Sequence, residues 1–217
     1  MSDIVLKNVS PSGVQNVHLR IKALHIEELL SCVKEGIIRD LCKTGCINYG
    51  KKWSCPPYSK SFSSIINLKS YDLAIIVMGY IYLDDMNYIN NPYQQVKAAN
   101  MILKSKCEKI ARNIENEFNG YSLLSGSCNM CKPCQKKRNL PCKKPSMMRY
   151  SLESTGINVE ELLEKYCGHK LLWYKRGEKL LYTSVATAIL IDSKSSQSKK
   201  DIEVLVEKYI EERNKKN

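Results

Sequence analysis

Residues 71–83 read Tyr71-Asp72-Leu73-Ala74-Ile75-Ile76-Val77-Met78-Gly79-Tyr80-Ile81-Tyr82-Leu83. The apolar centre from Leu73 to Met78 shows no alternation of polar and apolar residues, so it reads as a fully buried strand. A polar link, Asp84 to Asn91, follows, and Pro92 suits the first turn of a helix. Val96, Ala99, Leu103, Cys107, Ile110, Ile114 and Phe118 then recur every three or four residues, until Asn119-Gly120 stops the pattern. Tyr121 to Leu124 reads as a short strand. Strand, long helix and strand form a crossover unit, and the chain leaves it directly into a cysteine-rich loop.

Working outward, Ile4 to Val9 and Val14 to Ile21 read as strands broken by the turn composition Ser10-Pro11-Ser12-Gly13. Ile26, Leu29, Leu30, Val33 and Ile37 predict an amphipathic helix over roughly 25–39, and Phe62 to Lys69 a short helix. Downstream, Val159, Leu162, Leu163 and Tyr166 give a helix closed by Gly168. Leu171 to Tyr174 and Leu180 to Ile191 read as a hairpin turning at Arg176-Gly177-Glu178. Ser193 to Lys199 is a polar link before a last helix from Asp201 to about Arg213. The expectation is an α/β (α+β) domain spanning 1–217, with a mixed sheet flanked by helices. Residues 1–40 supply N-terminal strands and a helix, 41–192 a cysteine-loop core, and 193–217 a C-terminal helix.

The core contains two cysteine groups. Cys128, Cys131, Cys134 and Cys142 stand at C-x2-C-x2-C-x7-C, and three thiols within seven residues can close around one face of a metal cluster. Pro133, Pro141 and Pro145 stiffen the loop and keep it from winding or pairing. Structural zinc also takes four thiolates, but usually from two separated pairs. The compact triplet plus one favours a [4Fe-4S] cluster, with zinc as the alternative. Upstream, Cys42, Cys46 and Cys55 lie among Tyr49-Gly50-Lys51-Lys52-Trp53-Ser54 and Pro56-Pro57, with no apolar periodicity to which the thiols belong. This trio either binds its own metal, leaving one position open, or completes a site shared with the downstream group. Cys107 and Cys32 fall on helical stripes and read as core. Cys167 and His169 read as a capped helix end, and His18 and His25 carry no ligand signal.

The chain has 10 cysteines and a formal net charge of +12. Its first residues lack a secretory signal pattern, and the longest apolar run, Leu73 to Leu83, is 11 residues, too short to span a bilayer. A cytoplasmic, membrane-free protein with clustered cysteines is expected to bind metal rather than to form disulfides. The charge is concentrated at the cysteines. From Cys128 to Arg149 there are seven basic residues and no acidic one, and from Leu41 to Tyr71 five and none. Cations there stabilise an anionic cluster and attract an anionic substrate or an acidic redox partner. Nucleic acid is disfavoured, because the loops lack the aromatic interleaving of a stacking platform.

Cys46, Tyr49-Gly50-Lys51, Trp53-Ser54-Cys55-Pro56-Pro57, the four downstream cysteines, Pro145, Arg149, Ser151, Glu153 and Gly156-Ile157-Asn158-Val159 together resemble a known family. It comprises the predicted metal-binding proteins grouped as domain of unknown function 2284, and the resemblance runs from about Cys42 to Asp192. That family usually has Asp where this chain has Asn158. The resemblance implies an iron-sulfur or other metal protein of mostly anaerobic microbes, with no established general reaction. Chemistry then suggests a redox or sulfur-transfer enzyme acting on a small, possibly anionic molecule. Lys51, Lys52 and Arg149 are the candidates to bind it, and Tyr49 or Glu153 to move a proton. An electron carrier or metal-handling partner without its own substrate, and a zinc-stabilised nucleic-acid binder, are the alternatives.

Overall fold

The structure is a computed structural model that describes residues 3–10, 13–67, 69–193 and 198–215. The turn expected at Pro11-Ser12 and the link over 194–197 lie outside those residues. Five strands, β1 (Ile4–Ser10), β2 (Gly13–His25), β3 (Leu73–Tyr82), β4 (Tyr121–Leu123) and β5 (Tyr182–Ile191), form one sheet in the order β1-β2-β3-β5-β4. The opening stretch is β3, the central strand. It pairs antiparallel with β2 (Ile21 opposite Val77) and with β5 (Val77 opposite Thr187). Its odd-numbered residues face one core and its even-numbered residues the other, so both faces need apolar side chains.

Helix α4 (Pro92–Glu117) covers the first face, together with α6 (Lys199–Lys215). Asn91 caps α4 by accepting the Gln94 N–H at 3.1 Å, and Val96, Ala99, Leu103, Cys107, Ala111 and Ile114 are buried against the sheet. Cys107 is core, as its place on the stripe predicts. A Cβ added to Gly79 would lie 2.6 Å from its sulfur, so the central strand needs glycine where α4 crosses. The second face is covered by α1 (Ile26–Leu30), α3 (Phe62–Ile66), α5 (Val159–Cys167) and long loops, while α2 (Glu35–Gly45) buries no residue and packs on the turn at Glu153–Thr155. Asn158 caps α5 by accepting the Glu161 N–H at 3.2 Å. Asparagine and aspartate cap equally well, so Asn158 serves as well as the family's usual residue in this role.

The α/β class and the flanking helices are as expected, with four corrections. Every strand pair among the described residues is antiparallel, and a parallel bridge joins Leu124 to Ser151. α4 does carry the chain from β3 to β4, but β5 is inserted between them. The single helix expected over 25–39 is broken at 31–34. There Val33 bridges Ile157, and the Lys34 N–H donates to the Gly156 carbonyl at 2.8 Å instead of continuing the helix. Finally, Leu171 to Tyr174 does not pair as a hairpin strand. Leu171 packs on the second face and Tyr174 on the first, so the segment wraps around the sheet. No helix among the described residues is long and apolar enough to cross a membrane.

Candidate metal centre

The cysteine loops lie on the second face, tied to each other and to the short elements there by hydrogen bonds between distant parts of the chain. The foundation is the turn 151–158. Gly156 adopts φ +97°, a region that disfavours side chains, and a Cβ there would lie 2.8 Å from the Glu35 Cα. This close approach seats the start of α2 on the turn that carries Glu153. α2 is thereby directed at the first cysteine loop. The Arg39 guanidinium donates to the Ser59 carbonyl at 2.9 Å, and the Ser59 hydroxyl to the Ser154 carbonyl at 2.6 Å. Helix α2, the Cys-Pro-Pro loop and the Glu153 turn are thus one unit.

Cys42 lies on the last turn of α2, and Cys46 caps that helix with its N–H donating to the Cys42 carbonyl at 3.1 Å. Cys55 is buried, at 5% exposure. Burial pushes the Cys42 thiol up to about 11, and the neighbouring Cys46, Glu153 and Cys55 act in the same direction. Burial likewise raises Cys55, with Cys46 and Cys134 among the groups that add to the shift and Lys52 opposing it. The upstream trio and Glu153 thus influence one another electrostatically, and Cys134 of the downstream group acts on Cys55 in the same direction. Glu153 is half-buried, and its Oε2 is buried with no hydrogen-bond partner. Desolvation raises its pKa, against opposing hydrogen bonds to its own backbone and to Ser151.

Cys128, Cys131, Cys134 and Cys142 all line one small cavity, closed by Trp53, Ser54, Met130 and Met148. Lys144 is the charged residue on its wall, and no carboxylate lines it. The two loops are stapled together around this cavity. The Lys52 ammonium donates at 2.9 Å to the Ser127 hydroxyl, the Cys128 carbonyl and the Asn129 side-chain oxygen. The Cys128 N–H donates to the Ser54 hydroxyl at 3.0 Å, and the Trp53 indole N–H to the Leu140 carbonyl at 2.9 Å. Lys136 stands over the Tyr58 and Trp53 rings at 4.4 and 5.1 Å.

Of the expected binding residues, Lys51 and Lys52 lie between the loops, but Arg149 does not. Its Nε donates to Glu115 on α4 at 2.8 Å, its guanidinium stacks on Tyr121 at 4.9 Å, and it also bonds the Ser146 and Met148 carbonyls. Arg149 ties the end of the loop to the sheet, and Glu153 has no pairing with it. Tyr49 is half-buried, with its N–H donating to the Cys46 carbonyl at 3.1 Å. Cys32 and Cys167 are buried in the second core. His169 is buried too, its Nε2 2.7 Å from the Ser184 hydroxyl. Sequence reasoning missed Ser54, Ser59 and Arg39, whose roles are side chain to backbone contacts across the fold. It also ended α2 too early, although Ile38, Leu41 and Cys42 continue the helical spacing to a terminal Gly45.

No three Cys, His, Asp or Glu side chains among the described residues converge closely enough to grip one bare ion. The four downstream cysteines line a common cavity of about 20 Å³. Zinc at about 2.3 Å from each thiolate draws its sulfurs into mutual contact. A cluster shares its four ligands among several metal atoms and holds them further apart.

Fold and site together define a small α/β protein with two cysteine loops joined on one face of an antiparallel sheet. The chain belongs to the family described as predicted metal-binding protein (DUF2284), whose model matches residues 30–191. No curated protein and no solved structure matches it.

Proposed function

We propose that the chain is an iron-sulfur protein of the cytoplasm that carries out redox or sulfur-transfer chemistry on a small anionic molecule. The observation that carries this reading is the cavity lined by Cys128, Cys131, Cys134 and Cys142, with Trp53 across it and no carboxylate on its wall. Those four thiols would hold a [4Fe-4S] cluster, which when bound supplies one-electron chemistry. Trp53, Met130 and Met148 exclude water from the cavity, and Lys144 offsets the charge of four thiolates. Lys52 fixes the two loops relative to each other through three hydrogen bonds.

The upstream trio, Cys42, Cys46 and Cys55, is a second donor group with one position left for a substrate atom. Glu153 is placed to hold a proton beside it, because its Oε2 has no other partner. Cys42, Cys46 and Cys55 do not line the cavity of the downstream group, which favours two adjacent centres over one shared site.

The test is the iron and acid-labile sulfide content of protein purified without oxygen, compared with a Cys42→Ala, Cys46→Ala double variant. Two clusters predict about eight irons per chain falling to about four. About four irons in both proteins would restrict the reading to the downstream loop and favour a simple electron carrier. Zinc without sulfide would end it.

A further inference from the structure

The cysteine cavity has a neighbour. A cleft of about 410 Å³ opens between the two loops, and Cys131 and Cys134 line both spaces. Its walls carry four lysines, Lys51 and Lys52 from the upstream loop and Lys132 and Lys137 from the downstream one, and no carboxylate. None of the four makes an ion pair among the described residues. Four uncompensated cations around one cleft repel one another, an arrangement that an anion of two or more charges relieves.

We propose that this cleft binds a phosphorylated small molecule and presents it to the metal centre through the shared Cys131–Cys134 wall. The lining chemistry selects phosphate over a simple carboxylate. Four cations in one cleft favour the roughly two negative charges of a phosphoryl group over the single charge of a carboxylate, and lysine binds phosphate as a point charge. The site is also partly organised in advance. The three N–H groups of Lys52 are all spent on protein acceptors, one of them the Asn129 side-chain oxygen, so Lys52 offers the ligand its charge in a fixed place and no hydrogen bond. The bond from Lys52 occupies the acceptor end of the Asn129 amide and leaves its N–H groups for the ligand. Lys51, Lys132 and Lys137 are exposed and can close on a bound phosphate. The cleft also takes over the role expected of Arg149, whose guanidinium is spent on Glu115.

The proposal names the substrate class for the function proposed above and rests on that reading only for what happens to the anion once bound. It is tested by calorimetric titration of inorganic pyrophosphate, at constant ionic strength, into protein purified without oxygen whose metal content is measured on the same sample. The expected result is saturable binding at one site per chain. A Lys51→Ala, Lys137→Ala variant should bind about tenfold or more weakly, the scale of one lost charge-assisted hydrogen bond, with unchanged metal content. A Lys106→Ala, Lys109→Ala control on α4 should match the wild type. Non-saturable binding, or equal weakening in both variants, would overturn the proposal by showing only a diffuse effect of the +12 charge. Stronger binding of a single-stranded oligonucleotide, weakened by both variants, would overturn it in favour of a nucleic-acid backbone. Metal without saturable pyrophosphate binding would defeat this proposal alone, whereas binding without metal would defeat the iron-sulfur reading alone.

Discussion

One face of the sheet is covered by α4 and α6, whose apolar residues repeat every three or four positions. The other is covered by short helices and two cysteine loops, joined by Lys52, Ser54, Ser59, Arg39 and Trp53 to backbone or hydroxyl partners far away in sequence. The first is stabilised by apolar area, which is non-directional and tolerant of small changes. The second buries an apolar core too, but the cysteine loops laid over it depend on particular donors and acceptors, each modest in net energy but costly to leave unmade. Both faces thus bury apolar cores, and the candidate site lies in the loops laid over the second, so that variants can separate core from site.

The largest effect is expected at Leu103, fully buried on α4 against the central strand. Leu103→Ala should cost about 3 kcal/mol of unfolding free energy in urea, with metal content per folded chain unchanged. Gly156→Ala comes next. A side chain at φ +97° that also meets the Glu35 backbone should cost about 2 kcal/mol. Because it displaces α2 and Cys42, it should also lower the metal held by the upstream trio. Lys52→Met removes the ammonium that bonds the second loop in three places, and about 1–2 kcal/mol is expected, together with faster loss of metal to a chelator. The smallest change is Cys107→Ala, about 1 kcal/mol with metal intact. Metal loss in Leu103→Ala, or none in Gly156→Ala, would break the division between core and site.

The same contrast explains what was legible in the sequence. α4 was readable from its stripe, its Pro92 start and its Asn119-Gly120 stop, because these signals are local. β3 was readable because a strand buried on both sides cannot alternate. The break between α1 and α2 was not readable, since it arises from Lys34 and Val33 bonding to Gly156 and Ile157, more than a hundred residues away. The failed hairpin at Leu171 to Tyr174 has a similar origin, as the segment is drawn to both cores at once. Within the site, cysteine spacing singles out the downstream group as candidates, and its four members line one cavity. Arg149 was misplaced because a basic residue beside the ligands looks the same whether it faces the cleft or, as here, Glu115 beneath the sheet. The cationic cleft has no signature in spacing, since its four lysines come from two loops that meet only in the fold.

The most direct test of the account is the metal content of Cys131→Ala set against that of Cys107→Ala, both purified without oxygen beside the wild type. Loss of at least the downstream iron and sulfide in Cys131→Ala, with full retention in Cys107→Ala, is the result predicted for a centre built by the loops. Equal metal in both variants, or loss in Cys107→Ala alone, would contradict it.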